Sequence, residues 1–325
     1  MIMDWKTILP AALCLLVSGW WILEWIVYQR FTRVDPKSSS NLRNRPDDFR
    51  VWGNPFESFD TRPYAMPGYQ DVSVPSRQAG VRLAGWYVPG KPRAPAVLLI
   101  HGWRQGKFDS NVLTAAGMLH RHGFSILLVD LRNHGGSTVV NGHAAFGATE
   151  YLDLLGAWDW LVSEKGFAAR RIGVYGVSMG AVTSLIAMAR EPRIAAVFAD
   201  SPFFDVLLEL REQLRRKGWP GFLAPGSLRL GRLLSGDDLL SRNPAEAFEN
   251  HAGRPVAFVH STEDRRVPVT HQKAYADLAE RTGARASFWM VVGAGHVQSE
   301  FMFPEEYERR LVEFFGKSLD YRIHV

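Results

Sequence analysis

Five residues, Gly176-Val177-Ser178-Met179-Gly180, have the types and spacing that can do chemistry in this sequence. They follow an apolar run, Ile172 to Tyr175, and precede a stretch of small and apolar residues, Ala181 to Ala189. A strand turning sharply into a helix around Gly-x-Ser-x-Gly lifts the serine hydroxyl clear of a sheet and sets it at a helix N-terminus. The same pentapeptide also serves as a plain glycine-rich turn, so its partners decide. A serine hydroxyl is a weak nucleophile that needs a positioned base, and the base needs an orienting acid. In chain order after Ser178 come an acidic loop, Thr262-Glu263-Asp264-Arg265, and then a histidine in a glycine-rich loop, Gly293-Ala294-Gly295-His296. Ser178 is thus the expected nucleophile and His296 the expected base. Asp264 is the preferred acid over Glu263 and over Asp200, which ends an earlier apolar run. Backbone N–H groups must also hold the developing oxyanion. Met179, after the nucleophile, and Trp103, in His101-Gly102-Trp103-Arg104, are the expected donors, with His101 holding that loop.

Each of these residues must be held at the end of a strand, and the sequence provides the strands. Gln70–Val74 and Val81–Val88 read as an antiparallel opening pair. Further apolar runs follow at Ala96–Ile100, Ser125–Asp130, Ile172–Val177, Ala195–Asp200, Val256–His260 and Ala286–Val292. Helical patterns separate them, at Asn111–Arg121, Ala148–Glu164, Ala181–Arg190, His271–Arg281 and Pro304–Leu319. That alternation predicts an α/β fold, a mostly parallel sheet with helices on both faces. One connection is much longer than the rest. Residues 201 to about 250 hold an amphipathic helix, Asp205–Lys217, and a leucine-rich stretch from Phe222 to Leu240. Its apolar content opposes disorder and predicts a lid over the sheet.

The chain has 325 residues, a net charge of +5 and one cysteine, Cys14, which excludes an internal disulfide framework and a cysteine-rich metal site. No basic run with interleaved aromatics suggests a nucleic-acid partner. Residues 8 to 28 carry a single charge, Glu24. As a helix of ~31 Å this stretch matches a bilayer core, and Trp20, Trp21, Trp25 and Tyr28 resemble an interfacial aromatic belt. A secretory signal peptide and a buried core helix are the rivals. Against the first, bulky aromatics occupy the place of a small-residue cleavage site. Arg30, Arg33, Lys37, Arg43, Arg45 and Arg50 follow the stretch, with only Lys6 before it, which places the bulk of the chain in the cytoplasm. The expected organisation is an anchor over 1–30, a linker and wrapping segment over 31–69, and one domain over 70–325.

Taken together, His101-Gly102, Asp130-Leu131-Arg132-Asn133-His134-Gly135-Gly136-Ser137, the Ser178 turn, the acidic loop and Gly295-His296 stand in the order of the α/β-hydrolase superfamily, which residues 70 to 318 resemble. The stretch Gly147-Ala148-Thr149-Glu150-Tyr151-Leu152-Asp153 with Ala157-Trp158-Asp159-Trp160-Leu161 resembles membrane-anchored ABHD-type and related bacterial serine hydrolases. Where that subgroup often has Arg-Gly-His-Gly-x-Ser, this chain has Asn133 in place of the first glycine. The resemblance implies hydrolysis of esters, thioesters or amides with no metal or organic cofactor. With the leucine-rich lid and the anchor, it points to a small-molecule or lipid-like ester with an apolar acyl part. The rivals are a peptidase or amidase of the same fold, and a membrane-tethered binding protein that has lost its chemistry.

Overall fold

Five β-branched or leucine-rich runs sit fully buried in the middle of the chain, as parallel strands covered on both faces must. The computed structural model describes residues 5–36, 44–52, 56–249 and 252–322. Parts of the expected anchor (1–4), wrapping segment (37–43 and 53–55) and lid (250) lie outside the described residues, as do 251 and the last three positions. The elements are α1 (Trp5–Thr32), β1 (Gln70–Pro75), β2 (Arg82–Val88), β3 (Ala96–Ile100), α2 (Ser110–Arg121), β4 (Ser125–Val129), α3 (Tyr151–Ser163), β5 (Ile172–Val177), α4 (Met179–Arg190), β6 (Ala196–Asp200), α5 (Val206–Arg216), α6 (Leu223–Ser235), α7 (Glu246–Glu249), β7 (Val256–Ser261), α8 (Thr270–Thr282), β8 (Ala286–Val291), α9 (Ser299–Met302) and α10 (Pro304–Ser318). The eight strands form one sheet in the order β1-β2-β4-β3-β5-β6-β7-β8. β1 and β2 run antiparallel, and every pair from β4 to β8 is parallel. This is the α/β-hydrolase fold.

Alternation along the strands divides the core. Leu98, Ile100, Ile172 and Val174 face α3 and α4, whereas Val97, Leu99, Tyr175 and Val177 face α2 and α10. Strand order reverses around β3, which opens a crevice at the carboxyl ends of β3 and β5, where such sheets bind ligands. The loop after β3 carries His101 to Arg104, and the turn after β5 carries Ser178.

The long insertion between β6 and β7 is ordered as α5, α6 and α7, and α6 lies along α1. Leu9–Thr32 of α1 is long and apolar enough to cross a membrane by length and composition, with a mean hydropathy of 1.7 over an 18-residue window. Its two halves differ. From Leu9 to Ile22 every side chain is exposed, whereas Val27, Tyr28, Phe31 and the following Val34 are buried in the main core. Two glycines bring α6 close enough for this. A Cβ at Gly226 would lie 1.7 Å from Glu24 Oε1, and one at Gly231 would lie 2.0 Å from the Tyr28 ring. Trp20 stacks on Phe222 at 5.6 Å, and Tyr28 hydrogen-bonds Ser235 at 2.6 Å. The helix therefore runs past residue 30, and its last turns belong to the packed domain. Arg104 donates to the carbonyls of Arg33 and Arg30, closing the α1 C-terminus against the β3 loop.

Further on, Phe49, Val51, Tyr64 and Met66 are buried, the first and last two of them beside α2 on the opposite face. Asn133, where the resembling hydrolases have glycine, adopts φ 63°. Asparagine tolerates that left-handed conformation, and its side chain accepts from Val140, Asn141 and Gly142 N–H groups. Arg132 beside it pairs with buried Asp153 at 2.7 Å, so the segment is a structural clamp.

Burying one large apolar side chain is worth ~1.5–3 kcal/mol, so Val27, Tyr28, Phe31 and Val34 together approach the whole stability of a typical domain. Deleting residues 1–22 should leave a cooperatively folded domain, and deleting 1–34 should unfold or aggregate it. Circular dichroism melts and gel filtration of the two truncations check this; a monomeric 1–34 deletion with an unchanged Tm would refute it.

Candidate active site

At Ser178 the chain turns with φ 52° and ψ −117°, a strained conformation for a residue with a side chain. The flanking glycines make the turn possible. A Cβ at Gly176 would meet the Gly180 carbonyl oxygen at 2.4 Å, and one at Gly180 would meet the Ile100 carbonyl oxygen at 2.3 Å. The Ser178 N–H donates to the Asp200 carbonyl at 2.7 Å, tying the turn to the end of β6. Its hydroxyl stands at the N-terminus of α4, whose first N–H groups have no partner within the helix.

Three side chains expected from sequence meet here. Ser178 Oγ lies 3.0 Å from His296 Nε2, and His296 Nδ1 lies 2.7 Å from Asp264 Oδ2. A carboxylate only accepts, so Nδ1 carries the proton and Nε2 is left to accept from the serine hydroxyl. Asp264 is buried, and its Oδ1 accepts from the Arg266 and Val267 N–H groups at 2.8 Å each. Burial pushes its carboxyl up, but the His296 hydrogen bond and the nearby imidazole charges outweigh that and hold it below the usual range. Glu263 is exposed. The arrangement can draw a proton from a serine hydroxyl and steady the imidazolium that results.

The other two expected positions lie alongside. Gly102 N–H donates to Gln105 Oε1, and a Cβ on Gly102 would come 3.5 Å from Ser178 Cβ, so the β3 loop passes directly by the serine. His101 is buried with Nδ1 2.7 Å from the Gly102 carbonyl, while Nε2 accepts from Leu131 N–H at 3.0 Å. It holds the loop, and burial pushes its pKa down. Trp103 is half-buried among Phe31, Phe146 and the guanidinium groups of Arg104 and Arg266.

Asp200 lies behind the site. Its Oδ2 accepts from Tyr307 at 2.7 Å and its Oδ1 from Ser201 at 2.8 Å. Three neighbours escaped the sequence reading. Phe31 comes from α1. His260 lies beneath Asp264, with its Nε2 2.7 Å from the Val267 carbonyl. Arg266 reaches Trp103 across the acidic loop. A residue type at a strand end signals His260 only weakly, and no local pattern signals a helix 70 residues away.

One cluster has metal-ligand chemistry: Glu209 and Glu212 on α5 with His271 on α8, their donor atoms within 4.8 Å of one another. His271 Nδ1 accepts from Phe204 N–H at 3.0 Å, so Nε2 bears the proton and faces Glu212 at 3.1 Å and Glu209 at 3.5 Å. A cation there would have to displace that proton, and the group reads as a latch between lid and domain. A cavity of about 650 Å³ between α2 and α10 contains none of the site residues.

Fold and site geometry define an α/β-hydrolase. More narrowly, the chain belongs to the prolyl oligopeptidase family (Peptidase S9), whose pattern matches residues 110–322. It is 30% identical over 244 residues to an uncharacterized protein of Mycobacterium tuberculosis, Rv2307c, covering 73% of this chain and 75% of that one. It is 26% identical over 126 residues to the thiohydrolase aneE of Aspergillus aculeatus, covering 39% of each. Its fold superposes on the Pyrococcus furiosus esterase Pf2001 with a TM-score of 0.65 and 24% identity, over 83% of this chain and 97% of that one.

Burial pushes the Asp200 carboxyl up to about 6, despite the hydrogen bonds from Tyr307 and Ser201 that oppose it. An aspartate near 3.9 when unfolded thus takes up a proton on folding, and stability is lost as pH rises through the folded value. Asp200→Asn removes that loss. The unfolding free energy of the variant relative to wild type should rise between pH 4 and pH 7, by up to about 3 kcal/mol. Urea midpoints across that range measure it, and a constant difference would contradict the burial argument.

Proposed function

We propose that this chain is a membrane-anchored serine hydrolase that cleaves carboxylic esters or thioesters with an apolar acyl part. The single observation that carries the reading is the unbroken chain from Ser178 through His296 to buried Asp264, at 3.0 and 2.7 Å. Ser178 Oγ attacks the acyl carbon while His296 Nε2 takes the hydroxyl proton and Asp264 keeps the imidazole oriented. The backbone N–H groups of Trp103 and Met179 hold the oxyanion. His296 then returns the proton to the departing alcohol or thiol, leaving an acyl group on Ser178. In the second half His296 removes a proton from water as its oxygen attacks the acyl carbon; the bond from that carbon to Ser178 Oγ then breaks, His296 returns the proton to Ser178 Oγ, and the acid departs. No step calls for a metal or an organic cofactor.

The apolar lid on α5 and α6 supports an apolar acyl group, and the match to the esterase over nearly its whole length fits ester chemistry. The family's name favours the rival, a peptidase or amidase using the same groups. Complete geometry at all three positions weighs against a protein that has lost its chemistry. Residues 1–30 are read as a retained anchor, 31–69 as the wrapping segment, and 70–325 as the hydrolase domain with its lid at about 201–250. Cleavage as a signal peptide beyond the apolar stretch would strip Val27, Tyr28 and Phe31 from the core, which supports retention. The basic residues after α1 support a cytoplasmic domain.

Ser178→Ala should abolish turnover of p-nitrophenyl esters, and Asp264→Asn should lower it by ~10⁴ through the wrong histidine tautomer. Glu263→Gln should change it by less than about twofold, as an exposed group. Near-normal turnover in Asp264→Asn would move the acid elsewhere. Comparison of p-nitrophenyl esters with the matching anilides separates the rivals: faster anilide cleavage would make the enzyme an amidase.

A further inference from the structure

The membrane helix and the lid share a seam that leads towards Ser178. Val27 and Phe31 of α1 and Leu210 and Leu214 of α5 line a narrow crevice of about 30 Å³, together with Trp219. Arg30 and Lys217 set two cations on the same seam. At its inner side Phe31 stacks on Phe146 at 4.5 Å and lies 6.4 Å from Trp103, and Phe146 lies 6.0 Å from Phe203. An aromatic wall thus continues from the seam to the loop that passes Ser178. The indole N–H of Trp103 is buried and has no acceptor among the described residues.

The level of the seam follows from helix geometry. Trp5 to Ile22 spans 18 residues, ~27 Å of helix, and a bilayer core of ~30 Å takes up that length entirely. The stacked pair Trp20–Phe222, both rings partly open to solvent, then lies at the interface, with Trp21 and Trp25 beside it. Val27 is seven residues further along, ~10 Å above that pair. Cations at this height face the headgroups of an anionic leaflet.

We propose that the α1–α5 seam is the acyl-chain site, through which a membrane-resident ester or thioester passes its chain from the bilayer to Ser178. This rests on the hydrolase reading and adds to it the source of the substrate and the residues that hold its chain. A crevice of 30 Å³ has room for about one water, so the chain enters by parting Leu210 and Leu214 from α1. The membrane helix is then part of the substrate site as well as a tether.

The test uses the full chain in phosphatidylcholine–phosphatidylglycerol vesicles and a hexadecyl fluorophosphonate with a mid-chain diazirine. Ser178 Oγ displaces fluoride at phosphorus with its proton passing to His296, and light then expels N₂ to leave a carbene that inserts into its nearest neighbour. Adducts mapped to residues 27–31 or 210–219 are the expected result; adducts confined to other segments would overturn the seam. Failure to phosphonylate Ser178 at all would instead sink the hydrolase reading, and the seam with it. As a second measurement, Leu214→Trp should lower the hexadecanoyl-to-acetyl ester rate ratio by about tenfold or more, the size expected for a chain excluded from an apolar site. An unchanged ratio in that variant would overturn the proposal even if both rates fall.

Discussion

The backbone turn at Ser178 is the point on which the other arrangements depend. A non-glycine residue at φ 52° and ψ −117° persists only where its surroundings hold it. Here the hold is tight on every side: the Asp200 carbonyl takes the Ser178 N–H, and α4 packs so close to β5 and to the end of β3 that neither Gly176 nor Gly180 could carry a side chain. Rigid placement matters because a hydroxyl and an imidazole 3.0 Å apart move a proton only if neither wanders. The strain at one residue is supported by the sheet as a whole, and the sheet's order brings the loops after β3, β5, β7 and β8 to the same edge.

Burial then sorts the carboxylates. Asp264 and Asp200 are both hidden from solvent, but only Asp264 has an imidazole and two backbone N–H donors to sustain its charge. Asp200 has two hydroxyl donors, and its pKa rises to about 6. Two buried residues of one type thereby have their carboxyl pKa values pushed in opposite directions. The lid adds a second constraint. Because Gly226 and Gly231 let α6 lie flush on α1, the apolar N-terminal helix is mechanically continuous with the long insertion between β6 and β7.

Much of this was legible in the sequence. Strand and helix positions followed from apolar runs of strand length alternating with helical periodicity, and apart from the helix expected from Ala148, which starts at Tyr151, these landed within a residue or two. The turn, the acidic loop and the last histidine could be ordered because each lies just past a strand, where fold geometry leaves little freedom. What stayed hidden depends on contacts between distant segments. Nothing local to Val27, Tyr28 and Phe31 says that they pack on a helix 200 residues away, so the apolar stretch read as a uniform anchor. The helix at Leu223–Ser235 was visible only as leucine content, since its glycines, which weaken helix propensity, serve packing. Asn133 looked like a departure from pattern, yet its left-handed backbone and three accepted hydrogen bonds give it the glycine's place.

Covalent acylation of Ser178 can be trapped by rapid acid quenching of the enzyme during steady turnover of a p-nitrophenyl ester, followed by intact-protein and peptide mass spectrometry. A fraction of the chain should carry the mass of one acyl group, mapped to the peptide Ile172–Arg190 and to its residue Ser178. Turnover of the same ester with the acyl mass on another residue, or with none on Ser178 under conditions where hydrolysis of an acyl-enzyme is rate-limiting, would contradict it.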